Sequence, residues 1–442
     1  MVTRTGTCTL SHTEFVACTS NPEAVFMQQR PPRLFWACTA CLMDTSSGAS
    51  IAIRELLRQL AAFGWEICIL GSTVFDAASG SAPLRSQWDS LMQHVCTVVR
   101  YQDGNLTHNL LPVKSTDRHE MTSLEEEAFL AAYTDLLDKF RPDMVFTYGG
   151  HCLELCMADE ATDRHIPMAF FLVNGNYQGT RWCRDIDMIL TDSRATSDYY
   201  RKKYGIVPVV FGAPINPESV VAEKHQRKNV LFVNPSYAKG VSVAILLATL
   251  LEEKRPDITF EILESRGSWK DALHEVTTAL GTPRTSLRNV MVTPHTQDMR
   301  QVYARAKLLL APSLWFESFG RVTAEAMMNG IPAIVTNRGG LPEVIGNGGI
   351  VVNFPPQCYE PPYRTMIGPE QLAPLADFIE RCWDDPAFYQ TYCHRALAQG
   401  ARYAAPAVAR RFMRAVAPLM EQRAGDRPLE APRARKNKQL QS

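Results

Sequence analysis

Short apolar runs alternate with amphipathic stretches along most of the chain. The run from Arg33 to Cys41 (RLFWACTAC) predicts a strand, and the stretch from Ile51 to Phe63 has apolar residues at helical spacing and ends before Gly64. The apolar run WEICILG follows and predicts a second strand. Strand, helix and strand in this order form the repeating unit of a parallel sheet covered by helices. The pattern therefore predicts the α/β fold class.

A polar stretch divides the chain into two such halves. The second half opens with a strand from Asn229 to Asn234 and a helix from Ser242 to Glu253. Each half is long enough to bury a core of its own. The predicted organisation is an irregular extension at 1–31, an N-terminal Rossmann-like domain at 32–213, a linker at 214–228, a C-terminal Rossmann-like domain at 229–402, a crossover helix at 403–422 and a disordered basic tail at 423–442.

One helix of the first half carries a capping signal. The residues from Ser123 to Phe140 have helical periodicity, and Ser123 is followed three residues later by Glu126. A serine and a glutamate at this spacing can each bind a free backbone N–H of the other at a helix start. We expect Ser123 and Glu126 to form a capping box.

The stretch from Ala311 to Asn353 reads as loop, helix, strand, glycine turn, helix and strand. Ser318 to Gly320 offer a turn before the helical run Arg321 to Asn329, and Gly330 ends that helix. This order is typical of one half of a nucleotide-binding α/β domain.

Two glutamates bracket the start of this helix, Glu317 in the loop and Glu325 about one turn inside. Along a helix their separation is about 12 Å, close to the span of a diphosphate that joins two sugars. The free N–H groups at Ser318, Phe319, Gly320 and Arg321 lie between them and favour a phosphate. Each carboxylate can accept hydrogen bonds from a pair of sugar hydroxyls. The alternative is a solvated Glu317 and a Glu325 in a surface ion pair.

The string ESFGRVTAEAMMNGIPAIVTNRGGLPEVIG resembles the E-x7-E region of the retaining GT-B glycosyltransferases of the family-4 type. The resemblance implies two Rossmann-like domains that face each other across a deep cleft, with a C-terminal helix that crosses back to the N-terminal domain. It implies that Glu317 touches the donor sugar and Glu325 the ribose. It also implies that the first domain binds the acceptor, which the sequence does not identify.

The same resemblance assigns further donor contacts. Lys239, in a Lys-Gly pair after a strand, would meet the diphosphate, and the backbone near Thr293 would read the base. The small residues Ser46, Ser47 and Gly48 occupy the place of the family's glycine-rich loop, although a plain strand-to-helix connection is the alternative there.

The chain departs from the family at two positions. Asn174 follows the strand end at which many members carry a histidine, and it cannot relay a proton. The family's arginine before the Lys-Gly pair is replaced by Asn234 or Pro235. Arg266, at the end of the next strand, is a candidate for the missing cation, although a solvated arginine is equally natural in such a loop.

Charge and composition exclude several classes of protein. The chain has 442 residues with 46 basic and 46 acidic side chains, so the overall charge does not indicate a nucleic-acid partner. No signal peptide or apolar run of transmembrane length is evident, which favours a cytoplasmic protein. The tail carries four basic residues after position 432, which leaves weak peripheral contact with an acidic membrane surface as an alternative to a solvated tail.

The cysteines do not indicate a metal site. The chain has 12, and Cys38 and Cys41 form a C-x2-C without a second pair at zinc spacing. We therefore expect no metal and no cofactor other than the nucleoside diphosphate sugar that serves as the donor substrate.

These observations favour a retaining, metal-independent hexosyltransferase of glycan or glycoconjugate biosynthesis. One alternative is a noncatalytic protein that binds a nucleotide sugar or acts as a scaffold on the same fold. Another is an oxidoreductase with Rossmann domains, but the G-x-G-x-x-G spacing and its trailing acid are missing. The sequence does not indicate the oligomeric state.

Overall fold

The structure is a computed structural model that describes residues 30–425, with side chains as far as residue 421. Most of the predicted extension at 1–31 and of the predicted tail at 423–442 lies outside the described residues. The described chain contains two α/β units, each built on a mainly parallel sheet. The predicted fold class is confirmed.

The first sheet has eight strands. Its central strands are apolar throughout because helices cover both faces, as Leu34, Phe35 and Phe146 show by being fully buried. The strands are Arg33–Ala37 (β1), Glu66–Ser72 (β2), Val99–Asp103 (β3), Leu106–Leu111 (β4), Met144–Thr147 (β5), Met168–Leu172 (β6), Met188–Thr191 (β7) and Val209–Val210 (β8).

The strand order of this sheet is β3-β4-β2-β1-β5-β6-β7-β8. All neighbours are parallel except β3 and β4, which form an antiparallel pair at one edge. The α-helices of this unit are Gly48–Ala62 (α1), Trp88–Met92 (α2), Ser123–Phe140 (α3), Cys152–Asp163 (α4) and Arg194–Tyr204 (α5).

The capping box of α3 lies one residue earlier than the sequence predicts. Thr122 has extended backbone angles and accepts a hydrogen bond from the N–H of Glu125, whose carboxylate accepts from the N–H of Thr122. Ser123 is therefore the first helical residue and not the cap. The prediction of Ser123 and Glu126 was wrong because Thr122 and Glu125 have the same spacing and the same chemistry.

The second sheet has six strands, all parallel. Its order is β11-β10-β9-β12-β13-β14, with strands at Asn229–Val233 (β9), Thr259–Leu263 (β10), Val290–Thr293 (β11), Ala306–Ala311 (β12), Ala333–Thr336 (β13) and Gly349–Val352 (β14).

The segment 214–228, predicted as a linker, packs largely on this second unit. Val220 and Ala222 are buried, and Val220 belongs to the same apolar cluster as Leu309 and Ile331. The α-helices here are Pro217–Val220 (α6), Val241–Lys254 (α7), Trp269–Ala279 (α8), Arg300–Arg305 (α9), Arg321–Met328 (α10), Leu341–Ile345 (α11), Pro369–Asp384 (α12) and Pro386–Gly400 (α13).

The last helix, Ala405–Gly425 (α14), returns to the first unit. Phe412 is fully buried there and lies 5.3 Å from the ring of Phe146 and 5.5 Å from that of Phe211. The predicted crossover of the C-terminal helix is confirmed. Neither this helix nor any other in residues 30–425 combines the length and the apolar character needed to cross a membrane.

The carboxyl ends of the two sheets face each other. Arg266, after β10, contacts Ser46, after β1, and Ser318, after β12, contacts Asp192, after β7. Loops at the carboxyl ends of parallel strands are where open α/β sheets bind ligands. The cleft between the two sheets is therefore the expected position of a ligand site.

Candidate functional site

The site is built around the loop of residues 312–320, called the donor loop below, which joins β12 to α10. The loop enters α10 through Gly320, whose φ of 94° is left-handed. A Cβ at this position would lie 2.5 Å from a side-chain carbon of Leu341, so both the backbone angle and the packing require glycine. The turn predicted at Ser318 to Gly320 is present, and α10, whose first N–H groups have no partner within the helix, begins directly after it.

Glu317 and Lys239 form an ion pair in the second domain. The Glu317 carboxylate also accepts a hydrogen bond from Ser313 Oγ at 2.8 Å, and its side chain is 15% exposed. Lys239 ends a short turn after β9 and is 36% exposed. The resemblance implies separate roles for these two residues, whereas the structure brings them into direct contact.

The turn that carries Lys239 is locked against the donor loop. Gly240 has a φ of 81°, and a Cβ on it would lie 2.2 Å from the carbonyl oxygen of Pro312. The N–H groups of Leu314 and Trp315 both donate to the carbonyl of Ala238, at 2.9 and 3.0 Å. The glycine of the Lys-Gly pair is thus a packing requirement, which explains why lysine and glycine occur together.

A second glycine turn, after β13, holds the backbone of Glu317. The N–H of Gly340 donates to the Glu317 carbonyl at 2.8 Å. Gly339 has a φ of 59°, and a Cβ there would lie 1.8 Å from the same carbonyl oxygen. Glu317 is therefore fixed through both its carboxylate and its backbone.

Glu325 is buried, with 5% of its surface exposed, and both of its carboxylate oxygens have partners. Tyr303 donates its hydroxyl to Oε2 at 2.7 Å, and Arg321 Nε lies 2.7 Å from Oε1. Burial and the adjacent carboxylate raise the pKa of Tyr303 well above its usual value, so the hydroxyl remains a donor. A carboxylate oxygen can accept two hydrogen bonds, which leaves one acceptor position on each oxygen.

The small-residue loop after β1 is tied together by a buried aspartate. Asp44 accepts hydrogen bonds from Ser46 N at 2.7 Å and from Ser46 Oγ at 2.6 Å. Ser47 caps α1 by accepting from the N–H of Ser50. Nothing lies within 4 Å of a Cβ built on Gly48, so packing does not require this glycine. Sequence reasoning missed Asp44, although an aspartate two residues before a serine is a known turn signal.

Arg266 reaches across the cleft to this loop. Its Nη2 donates to the Ser46 carbonyl at 3.0 Å and to Asp76 Oδ2 at 2.7 Å. Both side chains of the ion pair are more than half exposed. The structure therefore brings Arg266 and Ser46 together, as a shared phosphate site would need, but the Arg266 side chain is paired with Asp76.

Two predicted donor contacts are engaged in local hydrogen bonds. Asn174 Oδ1 accepts from the N–H of Asn176 at 2.9 Å. Thr293 Oγ1 donates to the fully buried carboxylate of Glu261 at 2.9 Å, so the Thr293 hydroxyl faces the sheet interior. Their roles in donor binding remain predictions.

The C-x2-C pair and the acidic side chains do not form a metal centre. Cys38 and Cys41 are buried and free, and burial raises the pKa of each thiol to about 12. Among residues 30–421, no three His, Cys, Asp or Glu side chains are arranged to hold a metal ion.

The donor loop also touches the first domain at two places that sequence reasoning missed. Ser318 Oγ donates to Asp192 Oδ2 at 3.0 Å, and the ring of Phe316 lies 5.6 Å from that of Tyr199. Burial raises the pKa of Asp192 to about 7, against the lowering effect of the Ser318 hydroxyl. The signal was the run DMILTDS, which ends a buried strand on an aspartate at the carboxyl edge of the sheet.

Comparisons with known proteins agree with this geometry. Residues 217–357 match the family profile described as Glycosyl transferases group 1. Spore coat protein SA of Bacillus subtilis (strain 168) is 30% identical over 137 residues, which are 29% of this chain and 36% of that protein. D-inositol 3-phosphate glycosyltransferase of Arthrobacter sp. (strain FB24) is 30% identical over 158 residues, which are 34% of this chain and 32% of that protein. The chain thus spans about a third of the length of these curated relatives.

The solved structure of Anabaena HepE in complex with UDP and glucose superimposes on both domains. Its TM-score is 0.61 at 15% sequence identity, over 88% of this chain and 100% of HepE. The chain has the GT-B glycosyltransferase fold. In this GT-B chain the profile match covers the donor loop, both glycine turns that hold it, and the two glutamates, and it stops short of the first domain.

Proposed function

We propose that the protein is a retaining glycosyltransferase that moves a hexose-type sugar from a nucleoside diphosphate sugar to an acceptor, without a metal ion. The coarser part of this proposal, a glycosyltransferase that uses a nucleotide sugar, has the support of the group 1 match and of the GT-B fold. UDP-glucose is the first donor to test, since the HepE structure contains UDP and glucose.

The observation that carries the proposal is the Lys239–Glu317 ion pair beside the start of α10. Lys239 is paired with the Glu317 carboxylate, and the free N–H groups at the start of α10 follow Glu317 closely in the chain, so both sources of positive charge lie near Glu317 and would stabilise a diphosphate beside it. The Glu317 carboxylate lies next to that volume and can accept hydrogen bonds from sugar hydroxyls.

Charge development decides how these groups contribute to the reaction. When the bond from the anomeric carbon to the diphosphate breaks, negative charge grows on the leaving oxygen. Preorganised donors aimed at that charge lower the barrier because they need no reorganisation at the moment of reaction. Lys239 and the α10 amides supply this stabilisation from the second domain, and Arg266 adds to it once the diphosphate displaces Asp76.

The proposal also assigns the ribose of the donor to the buried carboxylate of Glu325. The two acceptor positions left on this carboxylate would bind a pair of neighbouring ribose hydroxyls, while Tyr303 and Arg321 hold the other two. The nucleotide would then complete a set of four hydrogen bonds on a buried carboxylate, which favours tight binding.

A nucleotide-sugar-binding protein without transfer activity is the second candidate. It is favoured by Asn174, which stands at the end of β6 and cannot take a proton from an acceptor.

A panel of UDP-, GDP-, ADP- and dTDP-sugars with the full chain tests the proposal. Thermal shift and calorimetry report binding, and release of free nucleoside diphosphate reports turnover. We expect one nucleotide series to bind and its sugar to be released slowly even without acceptor. Binding with no release or transfer under any condition would favour the noncatalytic candidate, and no binding in any series would overturn both.

Two further measurements test the stereochemistry and the metal independence of the proposed reaction. Proton NMR of the released or transferred sugar distinguishes retention from inversion of the anomeric centre. Turnover in the presence of excess EDTA tests metal independence, and we expect it to be unchanged.

A further inference from the structure

Two side chains of the donor loop are held by the first domain. Ser318 donates to Asp192 at 3.0 Å, and Phe316 lies against Tyr199 with ring centroids 5.6 Å apart. Asp192 directly follows β7 and is 6% exposed, whereas Tyr199 lies on α5. The two anchoring residues therefore lie on consecutive elements of the first domain, one after β7 and the other on α5.

The residue between these two side chains faces the other way. The Glu317 carboxylate is bound by Lys239 and Ser313, which both belong to the second domain. The side chains at 316 and 318 thus contact one domain and that of Glu317 the other. A shift of the flanking residues must rotate or translate Glu317, because its neighbours share its backbone.

A third contact joins the same two parts of the molecule. Glu343 on α11 accepts a hydrogen bond from the N–H of Arg194, the first residue of α5, at 2.7 Å. A carboxylate at a helix N-terminus is stabilised by the free N–H groups there. The N–H of Gly340, just before α11, donates to the Glu317 carbonyl. A Cβ built on Gly340 would lie 3.1 Å from the side chain of Ser193. The start of α5 therefore lies against both the donor loop and the glycine turn that fixes it.

We propose that Asp192 and Tyr199 are positioning residues of the donor site, which hold the donor loop from the first domain and so fix where the Glu317 carboxylate lies. This inference rests on the proposed function of Glu317 in binding the donor sugar. It predicts that the sugar half of the donor is recognised only when the domains are in contact. The base and the ribose, which the proposed contact with Glu325 holds within the second domain, do not depend on that contact.

Hydrogen exchange of the full chain tests the anchoring without any ligand. We expect Asp192→Ala, which removes the acceptor of the Ser318 hydroxyl, and Tyr199→Leu, which removes the ring that packs on Phe316, each to speed exchange of the amides in residues 313–320 about tenfold. Asp192→Asn keeps an acceptor for Ser318 and should restore most of the protection. Asp198→Ala is the matched control, because Asp198 is an exposed carboxylate on α5, the helix that carries Tyr199.

Calorimetry with UMP and with UDP-glucose then tests the consequence for the donor. Asp192→Ala should weaken UDP-glucose about tenfold and leave UMP, which lacks the second phosphate and the sugar, within about twofold. Unchanged exchange in both the Asp192→Ala and Tyr199→Leu variants would overturn the inference, whatever the protein binds. Equal loss of UMP and UDP-glucose would also overturn it. Failure of the wild type to bind any nucleotide sugar would instead overturn the proposed function and leave the exchange result standing.

Discussion

Lys239 and Glu317 neutralise each other where the donor diphosphate and its sugar are expected to meet. The pair keeps a partly buried carboxylate and an ammonium from facing the cleft unpartnered. A bound diphosphate would compete with Glu317 for Lys239, which would release the carboxylate for the sugar. With these proposed roles, the ion pair would couple binding of the phosphate near Lys239 to the availability of the Glu317 carboxylate for the sugar.

We expect Lys239→Ala to lower kcat by a factor of about 100 to 1000, the effect of removing one preorganised partner of a developing anion. Lys270→Ala, an exposed lysine on α8, is the control and should match the wild type. Steady-state kinetics with the best donor gives the answer. Near-normal kcat in Lys239→Ala would mean that the Lys-Gly turn does not meet the leaving group.

Arg266 should act on the same leaving group. We expect Arg266→Ala to lower kcat, and the double variant with Lys239→Ala to lose less than the sum of the two single losses of free energy. Asp76→Asn frees the Arg266 guanidinium from its partner and should leave kcat equal or higher. Additive losses in the double variant would show that the two cations act on different steps.

Glu325 should affect both affinity and stability. If its carboxylate binds two ribose hydroxyls as proposed, Glu325→Ala should weaken binding of the free nucleoside diphosphate by about 1.5 to 3 kcal/mol. Glu325→Ala also leaves Tyr303 buried without a partner and should lower the Tm, whereas Glu325→Gln retains an acceptor and should lower it less. Calorimetry with the folded variants would contradict the ribose assignment if affinity is unchanged.

Gly339→Ala should damage both stability and activity. An alanine with a left-handed backbone costs about 1 to 2 kcal/mol wherever it occurs. Gly281 has a φ of 78° with nothing within 4 Å of its Cβ, so Gly281→Ala carries this backbone cost alone. Only Gly339→Ala also pushes on the Glu317 carbonyl, which lies 1.8 Å from the added Cβ. We expect a larger Tm loss in Gly339→Ala than in Gly281→Ala, and a kcat loss in the folded Gly339→Ala variant only.

The pH dependence of stability should carry a contribution from Asp192. Burial, with a smaller contribution from the nearby Glu343 carboxylate, raises its pKa from 3.8 to about 7 against the lowering effect of the Ser318 and Thr191 hydroxyls. Between these two pH values the folded chain holds a proton that the unfolded chain has released, so stability falls as pH rises. The loss is at most about 4 kcal/mol at 1.4 kcal/mol per pKa unit. Denaturant titrations of the wild type should show this fall relative to Asp192→Asn, but not relative to Asp198→Asn.

The sequence predicted the elements that depend on local pattern and missed those that depend on contact between distant segments. The two α/β units, the turn at Gly320 and the crossover helix follow from apolar periodicity, glycine placement and family resemblance. The cap of α3 was misplaced by one residue, because Thr122 and Ser123 are equally good candidates locally.

The site was predictable as a set of residues but not as a set of contacts. Lys239 and Glu317 are 78 positions apart, and nothing in either segment indicates that they pair. The burial of Glu325 depends on Tyr303, which reads in the sequence as an ordinary apolar position of α9. Asp192 and Ser318 come from different domains, so their hydrogen bond depends on how the two domains are placed.

The chain passes between the domains twice, near Ile215 and near Ala404, and these two passages are hydrogen-bonded side by side in parallel. A single connecting segment would allow the two domains to rotate about many axes. Two connecting segments that are hydrogen-bonded to each other bend easily mainly about the line that passes through both. If the cleft opens, we expect this pairing to favour a swing over sliding or twisting of one domain on the other. Closure of such a swing would return Arg266 to Ser46 and Ser318 to Asp192 in the same register.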